Sequence, residues 1–166
     1  MKRFLLVFLL IQLALFAAEL SRPVQEAVVK PFTAVVAALA ASVVQRFDPA
    51  VLAQGNLLVD PRGGFAVAIE AGCNGVEAMI VLAAAMLAMP KVPWRWRLGG
   101  ILAGFLAIQG LNLVRIISLF YLGQWNRAAF DWAHLYLWQA LIMLDVLVVF
   151  LIWLRRLPAP EPASEG

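Results

Sequence analysis

Apolar positions in this chain run in long blocks, and polar ones gather at the breaks between them. Phe4 to Ala18 is a continuous apolar run behind Met1-Lys2-Arg3, and further runs cover roughly Asn74 to Met89, Leu98 to Leu122 and Leu135 to Leu154. A helix crossing a hydrocarbon core about 30 Å thick needs about 20 apolar residues, so these four blocks predict four membrane-spanning helices. The run at Asn74 is short for a span, which puts its start in the outer interface. Val24 to Phe47 is interrupted by Glu26, Lys30, Pro31 and Arg46, a pattern that suits an interfacial helix better than a crossing. Leu57-Leu58-Val59 and Phe65 to Ile69 flank Asp60-Pro61-Arg62-Gly63-Gly64 and predict a short β-hairpin around that turn.

Charge orients this map. Lys2-Arg3, the group Lys91, Arg95 and Arg97, and Arg155-Arg156 cluster at the ends of apolar runs. Positive charge in short loops marks the cytoplasmic side. Four spans starting inside then place both termini and all three clusters in the cytoplasm, with the hairpin outside. All six tryptophans (94, 96, 125, 132, 138 and 153) fall at or near span ends, where indole rings prefer the interface. Leu15 or Phe16 occupies the third-last position before either plausible cut after Ala17 or Ala18, so the first run reads as an uncleaved anchor and not as a secretory signal. The expectation is an all-α membrane protein of about four transmembrane helices, with an interfacial helix and a β-hairpin on the outer side. One membrane domain covers 1–157, followed by a Pro- and Glu-rich disordered tail over 158–166.

Composition excludes a soluble domain. Of 166 residues, 64% are hydrophobic and 14% charged, with a mean hydropathy of +0.89, more apolar surface than one small core can hide. The net charge of +3 is spread over span ends and forms no single patch, so nucleic acid is not expected as a partner. Cys73 is the one cysteine and His134 the one histidine, which leaves no internal disulfide and no expectation of a metal or other cofactor.

Chemistry-bearing residues converge in depth. Cys73 sits where the second span begins, Arg115 lies near the outer end of the third, and His134 opens the fourth. Parity puts all three toward the outer leaflet. An arginine within a membrane helix is costly unless it is paired or faces a polar cavity, which marks Arg115 as a functional candidate. Gln109, Asn112 and Ser118 lie at threefold spacing around it and extend one polar face. Each residue also has a plainer reading. A lone cysteine is commonly buried packing, a lone interfacial histidine is commonly solvated, and Arg115 can pair with Glu77 or Asp145. Together, however, a nucleophile, a base and a cation are the parts that acyl transfer requires.

The segments Glu70-Ala71-Gly72-Cys73-Asn74-Gly75-Val76-Glu77-Ala78-Met79 and Asn112-Leu113-Val114-Arg115-Ile116, followed by His134 at the head of the last span, resemble the exosortase/archaeosortase family in order, spacing and membrane context. The resemblance covers roughly Met1 to Leu157. Phe120 to Arg127 and Phe130 to His134, with the small size, look most like the exosortase H subgroup. The resemblance implies a cysteine transpeptidase or peptidase in a bacterial cytoplasmic membrane, its site facing the periplasmic side. Cys73 is then the nucleophile, with Arg115 and His134 its partners. The implied substrates are exported proteins ending in a short signature of Ile-Pro-Thr-Leu type, a transmembrane helix and a basic cluster, passed to an unknown acyl acceptor in the envelope while both proteins stay in membrane lipid. The expected mechanism has the thiolate favoured by a helix N-terminus and Arg115, and the oxyanion held by Arg115 with the amides of Asn74 or Gly75. His134 serves as acid and base, and Asn112, Glu77 and Asp145 support the site. Two other classes fit the composition: a non-catalytic scaffold packing through Gly100-Ile101-Leu102-Ala103-Gly104, and a small transporter subunit, for which the sequence shows neither repeats nor matching broken helices.

Overall fold

The computed structural model describes residues 2–158, so the expected disordered tail lies almost wholly outside the described residues. In chain order the elements are α1 (Lys2–Leu20), α2 (Arg22–Val44), strands β1 (Leu52–Gln54), β2 (Leu57–Asp60) and β3 (Phe65–Ala68), then α3 (Val76–Ala88), α4 (Trp94–Trp125) and α5 (Arg127–Arg155). The short α3 packs against α1, α4 and α5, and α4 also packs against α5. Ala78, Leu82 and Met86 of α3, Ile108 of α4 and Ile142, Val146 and Trp153 of α5 form the shared core.

Helices α1, α3, α4 and α5 run in alternating directions. Arg3 and Phe4 share a cavity with Leu87, Lys91 and Arg97, whereas Ala18 and Glu19 at the other end of α1 meet Val76 and Gln109. The indole of Trp153 donates to the carbonyl of Trp96 at 2.9 Å, so the end of α5 returns to the start of α4. The three basic clusters therefore gather at one end of the bundle. Arg97 caps α3 there, donating to the carbonyls of Leu87 at 2.9 Å and Met89 at 2.6 Å, which satisfies acceptors that a helix C-terminus leaves open.

Four described helices are long and apolar enough to cross a membrane: α1, α2, α4 and α5. They are not the four read from the sequence. The segment expected to be an interfacial helix is one continuous helix of 23 residues, and the expected second span, α3, has 13, about 20 Å of rise against a core of about 30 Å. The polar breaks in α2 are absorbed by a π-turn at Gln25–Val29, where the Lys30 amide bonds back to the Gln25 carbonyl. The wider turn accommodates Pro31, which lacks an N–H and crowds the preceding turn. Yet α2 leads away from the basic end. It begins beside the end of α1, with the Gln25 amide donating to the Glu19 carboxylate at 2.6 Å. Its buried face, including Ala37, Ala40 and Val44, clusters with Ile116 and Phe120 beyond the midpoint of α4 and with Leu58 and Ile69 of the sheet region.

The expected hairpin is a three-stranded antiparallel sheet in the order β1-β2-β3. Leu58 faces Val67 and Asp60 faces Phe65 across β2 and β3, while Leu52 faces Val59 across β1 and β2. Gly64 turns the predicted loop with φ of +65°, a conformation that costs a side-chain-bearing residue energy. Sheet and α2 together hold the chain as it enters the loop from Glu70 to Gly75.

Candidate active site

Cys73 stands on that loop, between two glycines in left-handed conformation, Gly72 (φ +81°) and Gly75 (φ +80°). The loop is tied from three sides. The Glu77 carboxylate accepts from the Gly72 amide at 2.5 Å. The Asn74 side-chain carbonyl accepts from the Val76 amide at 3.0 Å, and its NH2 donates to Thr33 on α2 at 3.1 Å. From α4, Gln109 donates to the Asn74 main-chain carbonyl at 3.1 Å. A methyl group at Gly75 would lie 2.6 Å from the Gln109 amide nitrogen, so a side chain there would displace Gln109 from its bond to Asn74.

Arg115 and His134 reach the thiol from two helices. Arg115, only 2% exposed, donates to the Gly72 carbonyl at 3.0 Å and directs its second terminal nitrogen at Cys73 Sγ, 3.4 Å away. His134 Nε2 lies 3.8 Å from the same sulfur. His134 falls in a π-turn at Ala133–Leu137, a widening of the helix that recurs at functional sites. The Phe130 ring packs on the imidazole with centroids 5.6 Å apart. Cys73, Arg115 and His134 line one small cavity of about 30 Å³, walled by Val67, Ile69, Ile116 and Phe130.

The alternative partners of Arg115 are not where it needs them. Among the described residues the ion pairs are Arg62 with Asp48 and Asp60, and Arg127 with Asp131. Glu77 is engaged with the Gly72 amide, and Asp145 has a buried carboxylate oxygen without a partner. A buried guanidinium with no carboxylate is costly unless other groups answer it, and here they are a carbonyl and the cysteine sulfur. Asn112 is fully buried next to Gly75, with both amide atoms unpartnered. Asp145 makes no hydrogen bond to the trio among the described residues.

Cys73 lies ahead of α3, which begins at Val76 with Gly75 as its cap, so the thiol stands two residues before the cap of the helix terminus expected to favour its thiolate. Burial also pushes the thiol above its usual range; Arg115 pulls it down, while Glu77 and Glu70 push it up further. His134 Nε2, 3.8 Å from that sulfur, is within reach of it as a base. Thr33 carries no expectation from the sequence, its one signal being a threonine inside an apolar helix, and Phe130 enters there only as part of the segment Phe130 to His134.

A comparison with curated proteins and one with solved structures each gave no match. The family model for transmembrane exosortase (Exosortase_EpsH) matches residues 2–154, which spans the bundle, the loop of Cys73 and the helices carrying Arg115 and His134. The chain belongs to the transmembrane exosortase family.

Proposed function

We propose that this chain is a cysteine transpeptidase that cleaves the C-terminal sorting signal of exported proteins through a thioester and passes them to an acceptor in the envelope. The observation that carries this reading is the buried Arg115, which has no carboxylate partner among the described residues and points at Cys73 Sγ with His134 on hand. His134 takes the thiol proton as the substrate arrives, and the sulfur attacks the scissile carbonyl carbon. Its oxygen, now an anion, is stabilised by Arg115 and by the Asn74 and Gly75 amides. Collapse breaks the C–N bond, the leaving amine takes the proton from His134, and the thioester remains. His134 then deprotonates the acceptor nucleophile, whose attack frees Cys73.

The basic end of the bundle is the cytoplasmic one under the positive-inside rule. From Trp94 to Arg115 the helix rises about 31 Å, one hydrocarbon thickness, so Arg115 and Cys73 stand at the outer interface. The substrate's scissile bond, just outside its own helix, meets them at that depth, and confinement to one membrane supplies the proximity advantage. Helix α2 and the sheet form a cap on this outer side. The substrate signature is of the Ile-Pro-Thr-Leu type of the H subgroup, and the enzyme resides in the bacterial inner membrane. The test is mass spectrometry of the new C-terminus of a candidate exported protein made with wild-type chain or with Cys73→Ala. An attached lipid, glycan or amine means transfer and a free carboxylate means hydrolysis. Unchanged processing by the variant means that the chain is a scaffold.

A further inference from the structure

A groove at the basic end of the bundle lies far from Cys73. It encloses about 600 Å³ between α4 and α5, within the range of about 300–1,000 Å³ typical of ligand sites. Its walls are small or apolar, with Gly99, Ala103 and Ala107 on one side and Val149 and Ile152 on the other. Arg95, in the first turn of α4, and Arg156, just past the end of α5, line it as well. Neither arginine has a carboxylate partner among the described residues.

We propose that this groove binds one anionic phospholipid, its phosphate held by Arg95 and Arg156 and an acyl chain lying along Gly99, Ala103 and Ala107. The dimensions agree. Arg95 to Ala107 is 12 residues, about 18 Å of helix, close to the depth of one leaflet of a core about 30 Å thick. Charge selects the occupant. Paired arginines on the basic side of a bundle attract lipid phosphate, whereas the basic cluster that follows the helix of an exosortase substrate would be repelled by them. The glycines are not equivalent. A methyl group at Gly100 would meet the Trp153 indole at 2.3 Å, so that glycine serves internal packing, whereas one at Gly99 meets nothing within 4 Å. Gly99 therefore opens the groove without being needed by the fold.

This difference supplies the test. Native mass spectrometry of the full chain, exchanged from micelles containing phosphatidylglycerol or phosphatidylcholine, measures the bound lipid. Wild type retains one phosphatidylglycerol and prefers it to phosphatidylcholine. Each arginine near a charged headgroup is worth about fivefold, so the double variant Arg95→Gln/Arg156→Gln loses about 30-fold of that preference. Gly99→Leu fills the groove and loses bound lipid of both kinds, while its circular dichroism and cleavage of substrate stay those of wild type. Equal retention of the two lipids by wild type overturns the proposal, as does unchanged retention in either variant. So does a mass of two chains that Gly99→Leu converts to one, which would make the groove a site for a second copy.

Discussion

Replacing Arg115 separates a catalytic guanidinium from a structural one. The side chain makes one hydrogen bond to the Gly72 carbonyl at 3.0 Å and one approach to the sulfur at 3.4 Å. It thus uses two nitrogens of a planar fork that a lysine ammonium cannot reproduce. If the fork stabilises the oxyanion, its loss costs about 2.7–4 kcal/mol in the transition state, or 10²–10³ in rate. Arg115→Lys keeps the charge and falls toward the smaller loss, and Arg115→Met toward the larger. Stability should not follow. Arg115→Met strands the Gly72 carbonyl, at about 1–3 kcal/mol, but it also removes a buried cation without a carboxylate partner, an offsetting gain. The net change in unfolding free energy is expected within about 2 kcal/mol. The assay is release of the C-terminal fragment of a substrate co-reconstituted with purified enzyme in liposomes, beside denaturant unfolding of the same preparations. Arg115→Lys within threefold of wild type would refute the reasoning. A loss of activity tracking a loss of folded protein would make Arg115 structural.

Because burial holds the Cys73 thiol above its usual range, alkylation by iodoacetamide should rise with pH later than for a free thiol of pKa about 8.5. Arg115→Met, which removes the cation, should delay it further, and Glu77→Gln, which removes an anion, should advance it; a wild-type midpoint below about 8.5 would contradict this. The same raised value means that folding stability from this group is present below the ordinary thiol pKa and is lost as pH climbs through the folded one. Gly75→Ala forces a methyl into a left-handed residue 2.6 Å from Gln109. It should cost at least about 1–2 kcal/mol on unfolding and nearly all cleavage, whereas Gly110→Ala, in open space on α4, should gain about 0.5–1 kcal/mol. In a Cys73→Ser background, Gly63→Cys should react with an impermeant maleimide on intact cells and Trp94→Cys only after permeabilisation. The opposite pattern would invert the orientation.

The chemistry of the site was more legible than the fold around it. Cys73, Arg115 and His134 announce themselves because an apolar chain tolerates few such residues, and the structure gathers them around one sulfur. Helix ends were nearly readable, with α4 extending four residues before and three after its apolar run because Trp94 to Arg97 and Gly123 to Trp125 still favour helix in an interface. The structure of 24–47 was obscured by Lys30-Pro31, which reads as a break unless a π-turn widens the helix before it. Strand β1 was missed because Leu52-Ala53-Gln54 is too short to show alternation, and it exists by pairing with β2. The role of Thr33 depends on a contact 41 residues away with Asn74, which no local pattern encodes. The loop that sets Cys73 ahead of α3 was not legible either, since it is shaped by the left-handed turns at Gly72 and Gly75.

In the proposed reaction a substrate carbonyl becomes bonded to Cys73. Intact-mass spectrometry of the purified enzyme mixed with a substrate and quenched in acid, with and without neutral hydroxylamine, measures this bond. The expected result is an adduct of the upstream substrate fragment that maps to Cys73 and is released by hydroxylamine as a hydroxamate at the substrate's new C-terminus. Neither species is expected with Cys73→Ala. Cleavage by purified Cys73→Ala at the wild-type rate, with no hydroxamate formed, would contradict it.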